Sequence, residues 1–175
     1  MSLRSVLDTF DILDRPGASG ADILAYWRDC GATEVTITTV AGPGGQTDFV
    51  RALIPGSEGR TAGGTARTLG VVGQLGGIGA RPEQIGFVSD GDGALVAVAT
   101  AAKLARMHSA GDILPGDVIV ATHICPDAPT RPHDPVPFMS SPVDIPTANA
   151  HQLDPAMDAV LAVDTTKGNR ICNHS

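Results

Sequence analysis

The first stretch of the chain repeats its apolar residues at helical spacing. Leu3, Val6, Leu7, Phe10, Ile12 and Leu13 run up to Asp14, and Pro16 and Gly17 stop the pattern. Ser19 then stands as an N-cap for a second helix carrying Ile23, Leu24 and Trp27 and ending at Gly31. From Glu34 onward the alternation switches to every second residue. Residues 34–40 are rich in Val, Ile and Thr and predict a strand, and the turn at Gly42, Pro43, Gly44 and Gly45 leads into a second strand over 48–54. Together these predict an N-terminal helical and hairpin segment packed on the rest of the chain.

A glycine-rich stretch over 61–80 surrounds one apolar run, Leu69-Gly70-Val71-Val72-Gly73. A short buried strand is expected at 85–88, then a tight turn from Ser89 through Asp90, Gly91 and Asp92 to Gly93. The run ALVAVATAAKLARM beyond it is apolar almost all round. It predicts a helix covered on most sides, with Lys103 and Arg106 placed well against its dipole. After Leu114, Pro115 and Gly116 comes an apolar strand over 117–123. Apolar runs on either side of a helix predict a parallel βαβ unit. Seven of the thirteen prolines fall between Pro126 and Pro146, which excludes a helix or a central strand and predicts a long loop of functional use. A last buried strand over 157–163 ends at Asp164, Thr165, Thr166, Lys167 and Gly168.

The 175 residues suffice for one domain. The expected division is N-terminal helices over 1–31, a sheet-based core over 32–168 and a tail over 169–175, where the chain looks truncated. Nineteen acidic against twelve basic residues give a formal charge of −7. That argues against a nucleic-acid partner, which needs clustered Lys and Arg. Charged residues at 18% and apolar ones at 42% argue against disorder, and aromatics at 3% against stacking platforms. The acidic N-terminus is not a signal peptide, and the most apolar stretch, 94–102, is about half the length of a membrane span. Cys30, Cys125 and Cys172 are scattered without a CxxC pair, so neither disulfides nor a zinc knuckle is supported. A cytoplasmic protein without membrane partners is the expectation.

Ligands of parallel α/β sheets sit beyond the carboxyl ends of the strands. Three expected strands end in polar residues: one at Asp90 and Asp92, one at His123, Cys125 and Asp127, one at Asp164 and Lys167, with His133 and Asp134 in the proline-rich loop. Carboxylates and imidazoles arriving from separate elements suit a divalent metal or an acid–base pair. Each also has a plain structural role open to it. The DGDG segment is a turn, and Asp90 or Asp92 a helix cap. His123 can be a hydrogen-bonded core histidine, Cys125 a small hydrophobe. His133 and Asp134 can brace the loop, Asp164 and Lys167 can pair, and His108 and His151 fit the surface. The glycines over 73–79 lack GxxxxGK[ST] and GxGxxG spacing, and there is no GxSxG elbow, so nucleotide binding and a serine hydrolase are disfavoured.

Two resemblances sharpen this picture. The segments from Leu69 through Met107, LPGDVIVATHICPDAPTRPHDPVPF and AVDTTKGN resemble a bacterial family known as a domain of unknown function, over about residues 34–170, with HICPDAPT and DTTKGN as its specific motifs. More distantly, the order of strand, SDGDGA, Ala-rich helix, PGDV strand, polar loop and VD strand end is similar to the co-catalytic zinc aminopeptidases and deacylases. That resemblance implies a phosphorylase/hydrolase-like build, with Asp90 as bridging ligand and Asp164 as terminal ligand. The chain departs from the pattern in three ways: no His near 74–77, Pro126 where the base Glu would stand, and an end before the last His ligand. His123, Asp127, His133 and Asp134 offer a rebuilt set.

The combined expectation is an α/β domain with a mostly parallel sheet flanked by helices, metallopeptidase-like in build. It would be a metal-dependent hydrolase-like protein acting on or binding a small amide, peptide or amino-acid derivative, with zinc as the leading metal. Asp90, His123, His133 and Asp164 would hold the metal, Asp127 would act as base, and Lys167 would take a substrate carboxylate. The rival is a non-catalytic binding or assembly module with a degenerate metal site. Either is expected to form a homo-oligomer or to work with a partner chain.

Overall fold

A computed structural model of the chain describes residues 2–74, 91–125, 128–132 and 138–164. The two N-terminal helices form as the periodicity implies, α1 at Ser2–Leu13 and α2 at Gly20–Asp29. Ser19 caps α2 in a full capping box: its hydroxyl accepts from the Asp22 N–H, and the Asp22 carboxylate accepts from the Ser19 N–H at 3.0 Å. Gly31, with φ +98°, then reverses the chain at the C-terminal end of α2, in the left-handed region where a side chain would be strained.

β1 (Glu34–Gly42) and β2 (Gly45–Ile54) form the antiparallel hairpin, and β3 (Leu69–Gly73) is the apolar run of the glycine-rich stretch. α3 spans Asp92–Ser109, β4 Val118–Ile124, α4 Ile145–Gln152 and β7 Ala159–Val163. Part of the proline-rich segment folds as a two-stranded ladder of β5 (Thr130–Arg131) and β6 (Phe138–Met139). The main sheet runs β1-β2-β4-β3-β7. β4, β3 and β7 are parallel, while β1, β2 and β4 are antiparallel. The sheet is therefore mixed rather than mostly parallel: the tight glycine turn returns β2 beside β1, and β2 then pairs antiparallel with β4. Among the described residues the architecture is a mixed α/β fold, an open five-stranded sheet flanked by helices.

Two further expectations change. The last strand is not buried: β7 is an edge strand, and every one of its residues from Ala159 to Ala162 is exposed. The prolines do not exclude a helix either, because Pro146 sits in the first turn of α4, where its missing N–H costs nothing, behind an Asp144 N-cap. The strand expected at 85–88 lies outside the described residues, and the strand on the N-terminal side of α3 in the described sheet is β3.

Registers separate the two faces of the sheet. One face carries Val50, Ala52, Ile54, Val71, Val118 and Val120 and packs under α2 and α3 in a single core. α3 offers it a row of small residues, including Ala94, Ala97, Ala101 and Ala105, so the helix lies close to the strands. Trp27 fills the space between α2 and α3 and donates its indole N–H to the Val98 carbonyl at 3.1 Å. The opposite face carries Phe49, Arg51, Ile119, Ala121 and His123 and is covered by α4 and the segment after it.

Candidate functional site

Two crossovers leave the parallel strands on opposite faces. From the end of β3 the chain reaches β4 through α3, on the face of Val71 and Val120. From the end of β4 it reaches β7 through α4, on the face of Phe49. Chain segments departing to opposite sides open a crevice between the carboxyl ends of adjacent strands, the usual ligand position of open α/β sheets. β3–β4 pairing stops at Val72 opposite Ala121, whereas β3–β7 pairing continues to Gly73 opposite Val163. The strands thus part at Gly73.

What fills the parting is polar. The Gly73 carbonyl accepts from the Thr122 hydroxyl at 3.1 Å and from the Gln152 Nε2 at 3.1 Å. Gln152 ends α4 and is 1% exposed, and among the described residues its Oε1 has no hydrogen-bond partner. A buried amide oxygen left unpaired costs about 1–3 kcal/mol, a cost that a donor from water or from a ligand would relieve. The N-terminus of α3 abuts the same rim. A Cβ at Gly93 would lie 2.8 Å from the Val163 carbonyl oxygen and 3.0 Å from the Gln74 nitrogen, so only glycine lets the helix start this close to the strand ends. Asp92 lies in the first turn of α3, and Gly91 is the N-cap without a side-chain bond. The first-turn N–H groups of a long helix favour negative charge nearby.

His123 stands beside this crevice on the α4 face. It is buried, its Nδ1 lies 2.9 Å from the Thr47 hydroxyl, and its ring stacks on Phe49 at 5.3 Å. The Thr47 hydroxyl donates to the Ile124 carbonyl at 3.1 Å, which makes it the acceptor toward Nδ1 and puts the ring proton there. Burial pushes the His123 pKa down to about 4, so the imidazole is neutral at pH 7. Phe49 also stacks against His151 of α4 at 4.8 Å, which ties α4 to the sheet. Cys125, just beyond β4, is buried and its thiol lies 3.3 Å from the Gln46 carbonyl.

The six residues singled out from sequence fare differently. His123 and Asp164 are described: His123 at the end of β4, and Asp164 immediately after β7, exposed. Strands β4 and β7 lie on either side of β3, so the two are separated by two strand spacings, about 10 Å of sheet. Asp90, Asp127, His133 and Lys167 lie outside the described residues, as does Asp134. Among the described residues no group of three or more His, Cys, Asp or Glu side chains is placed to hold a metal ion. A neutral His123 has the protonation state of a ligand, and Thr47 orients its ring as an outer partner would. With Asp164 two strands away, the described donors do not make a metal centre.

Sequence reasoning missed Gln152, Thr122, Thr47 and Asp117. A capped α4 starting at Asp144 with Pro146 in its first turn was the available signal for Gln152. Asp117, buried just before β4, accepts from the Gly56 N–H at 2.8 Å, the Thr61 N–H at 3.1 Å and the Thr61 hydroxyl at 2.6 Å. Burial alone would raise its pKa, but these hydrogen bonds outweigh it and hold the carboxyl below the usual range. Its role is to pin the loop over 55–63 beneath the sheet, at the edge remote from the crevice.

The fold defines a class: an open mixed α/β domain whose parallel strands β3 and β4 part at Gly73, where polar side chains meet the Gly73 carbonyl. The family described as "Protein of unknown function (DUF1177)" matches residues 38–175, and the chain belongs to it. No curated protein matches the chain. Among the described residues, no helix is long and apolar enough to cross a membrane.

Proposed function

We propose that this domain binds a small amide, peptide or amino-acid derivative in the crevice between the carboxyl ends of β3 and β4. The observation that carries this reading is the Oε1 of Gln152, unpaired among the described residues and held in place because the same side chain donates to the Gly73 carbonyl. An amide oxygen can only accept, so the group it awaits is a hydrogen-bond donor, an N–H or an O–H. Amide and amine ligands supply one, and a carboxylate on the same molecule would be favoured near the first turn of α3. Neutral His123 at the margin adds a polar edge without adding charge.

Metal-assisted hydrolysis is the enzymatic form of this proposal, and it turns on Asp90, Asp127, His133 and Asp164 acting with His123, and on Lys167 taking a substrate carboxylate. The described donors do not complete a metal site, so no catalytic step is assigned to an ion. The binding-module alternative draws support from the same incomplete set.

The test is thermal melting and titration calorimetry with N-acetyl amino acids, dipeptides and free amino acids, each with and without zinc. An N-acylated amino acid or dipeptide should raise Tm in the wild type and fail to do so in Gln152→Leu. If no amide shifts Tm, or if Gln152→Leu binds as tightly as wild type, the crevice is not the site. Release of free amine in the presence of zinc would mark an enzyme; binding without release, a module.

A further inference from the structure

On α1 the inward face is the more polar one. Ser5 and Thr9 are fully buried with Leu13, and Ser5 is engaged by the Arg106 guanidinium at 2.7 Å. The large apolar side chains turn the other way: Leu3 is 68% exposed, Leu7 55%, Phe10 40% and Val6 38%. These four lie at helical spacing along one stripe. A helix that spends small polar residues on its own core and presents leucines to solvent has a second apolar surface to cover. The stripe continues into an apolar cleft of about 230 Å³ between Val6 and the α3 residues Val96, Ala99 and Leu104.

The charges beside the stripe indicate what covers it. Arg4 lies 3.5 Å from Asp8, but Asp8 is already bonded by Arg106 at 3.1 Å, so one carboxylate serves two guanidiniums. Seven residues along the same helix, Asp11 has no ion-pair partner among the described residues. Two copies of α1 packed antiparallel about Leu7 bring Arg4 of each beside Asp11 of the other, and set Leu3 against the Phe10 end of its neighbour. Lys103, in the lining of the cleft and likewise without an ion-pair partner among the described residues, adds positive charge beside the stripe. The stripe is thus self-complementary under a two-fold axis, as an isologous interface requires.

We infer that α1 is the homodimer interface of this protein, a second copy of the chain covering the Leu3–Leu7–Phe10 stripe. The crevice plays no part in it. Sedimentation equilibrium and light scattering across the micromolar range should show a concentration-dependent dimer. Leu3→Glu combined with Leu7→Glu should raise the dissociation constant by about tenfold or more while Tm at low concentration stays near wild type, because both side chains are exposed in the single chain. Arg4→Glu alone and Asp11→Arg alone should each weaken the dimer, and the two together in one chain should restore it. A wild type that stays monomeric, a dimer that survives the double glutamate variant, or a charge swap that does not restore association would each overturn the inference.

Discussion

The two faces of the sheet are built from the same strands to opposite ends. Under α2 and α3 the buried positions are mostly apolar: Val50, Ala52, Val71, Val118 and Val120 meet a row of alanines, with Trp27 as a large plug. Over α4 the same strands present Phe49, Arg51 and His123, and the covering helix answers with His151 and Gln152, with Asp154 just beyond its end. The first face is a packing solution, and its pieces are interchangeable in kind if not in volume. The second is a set of specific polar contacts, one of which ends unpaired. Stability should therefore be concentrated on the first face, and sensitivity to pH and ligands on the second.

Four perturbations separate the two, in order of size. Trp27→Ala, on the packed face, empties the space between α2 and α3 and removes the indole hydrogen bond to the Val98 carbonyl. It should cost about 3–5 kcal/mol in urea unfolding and leave the pH dependence of stability unchanged.

The second acts on the opposite face. His123 is held neutral with a folded pKa near 4 against an ordinary 6.5, so the unfolded chain takes up the proton first as pH falls. Its contribution is complete above pH 6.5 and is lost between there and about pH 4, on the order of 3 kcal/mol in all. Denaturant melts at a series of pH values should show that slope in wild type and its loss in His123→Gln. A flat profile over that window would mean the ring is not buried as described.

Asp117→Asn, at the remote edge, replaces one carboxylate oxygen with a donor that faces N–H groups. A loss of about 1–3 kcal/mol is expected at neutral pH. The sign of its pH dependence comes from its lowered pKa. Its stabilisation is present above the usual carboxylate range and is lost as pH falls through the folded value, below the window in which His123 acts. Ser19→Ala removes one half of the capping box of α2 and should cost about 1 kcal/mol, with no effect on crevice ligands.

The legibility of the chain divides along the same line. α1, α2 and α3, the hairpin and β4 could be read from period, caps and turn residues, because those signals are local. The β7 edge misled the reading because an apolar strand looks the same whether it has neighbours on both sides or on one. The mixed sheet order escaped for a related reason: antiparallel addition of β2 to β4 joins segments more than sixty residues apart, and nothing in either strand names its partner. In the crevice, His123 stood out because histidine is a rare, ionisable type at a strand end. Gln152 and Thr122 did not, since a glutamine in a polar stretch and a threonine in a strand are ordinary. Their importance arises only where β3 and β4 part and the Gly73 carbonyl is released.

One experiment bears on the Gln152 proposal above all others. The side-chain amide protons of Gln152 and the backbone amides of Gly73, Thr122 and Gly93 can be followed by NMR while N-acylated amino acids and dipeptides are added. Shifts confined to these residues, saturating with ligand and absent in Gln152→Leu, are what an N–H donor entering the crevice should produce. Saturable shifts elsewhere on the molecule, with these four signals unmoved, would contradict it.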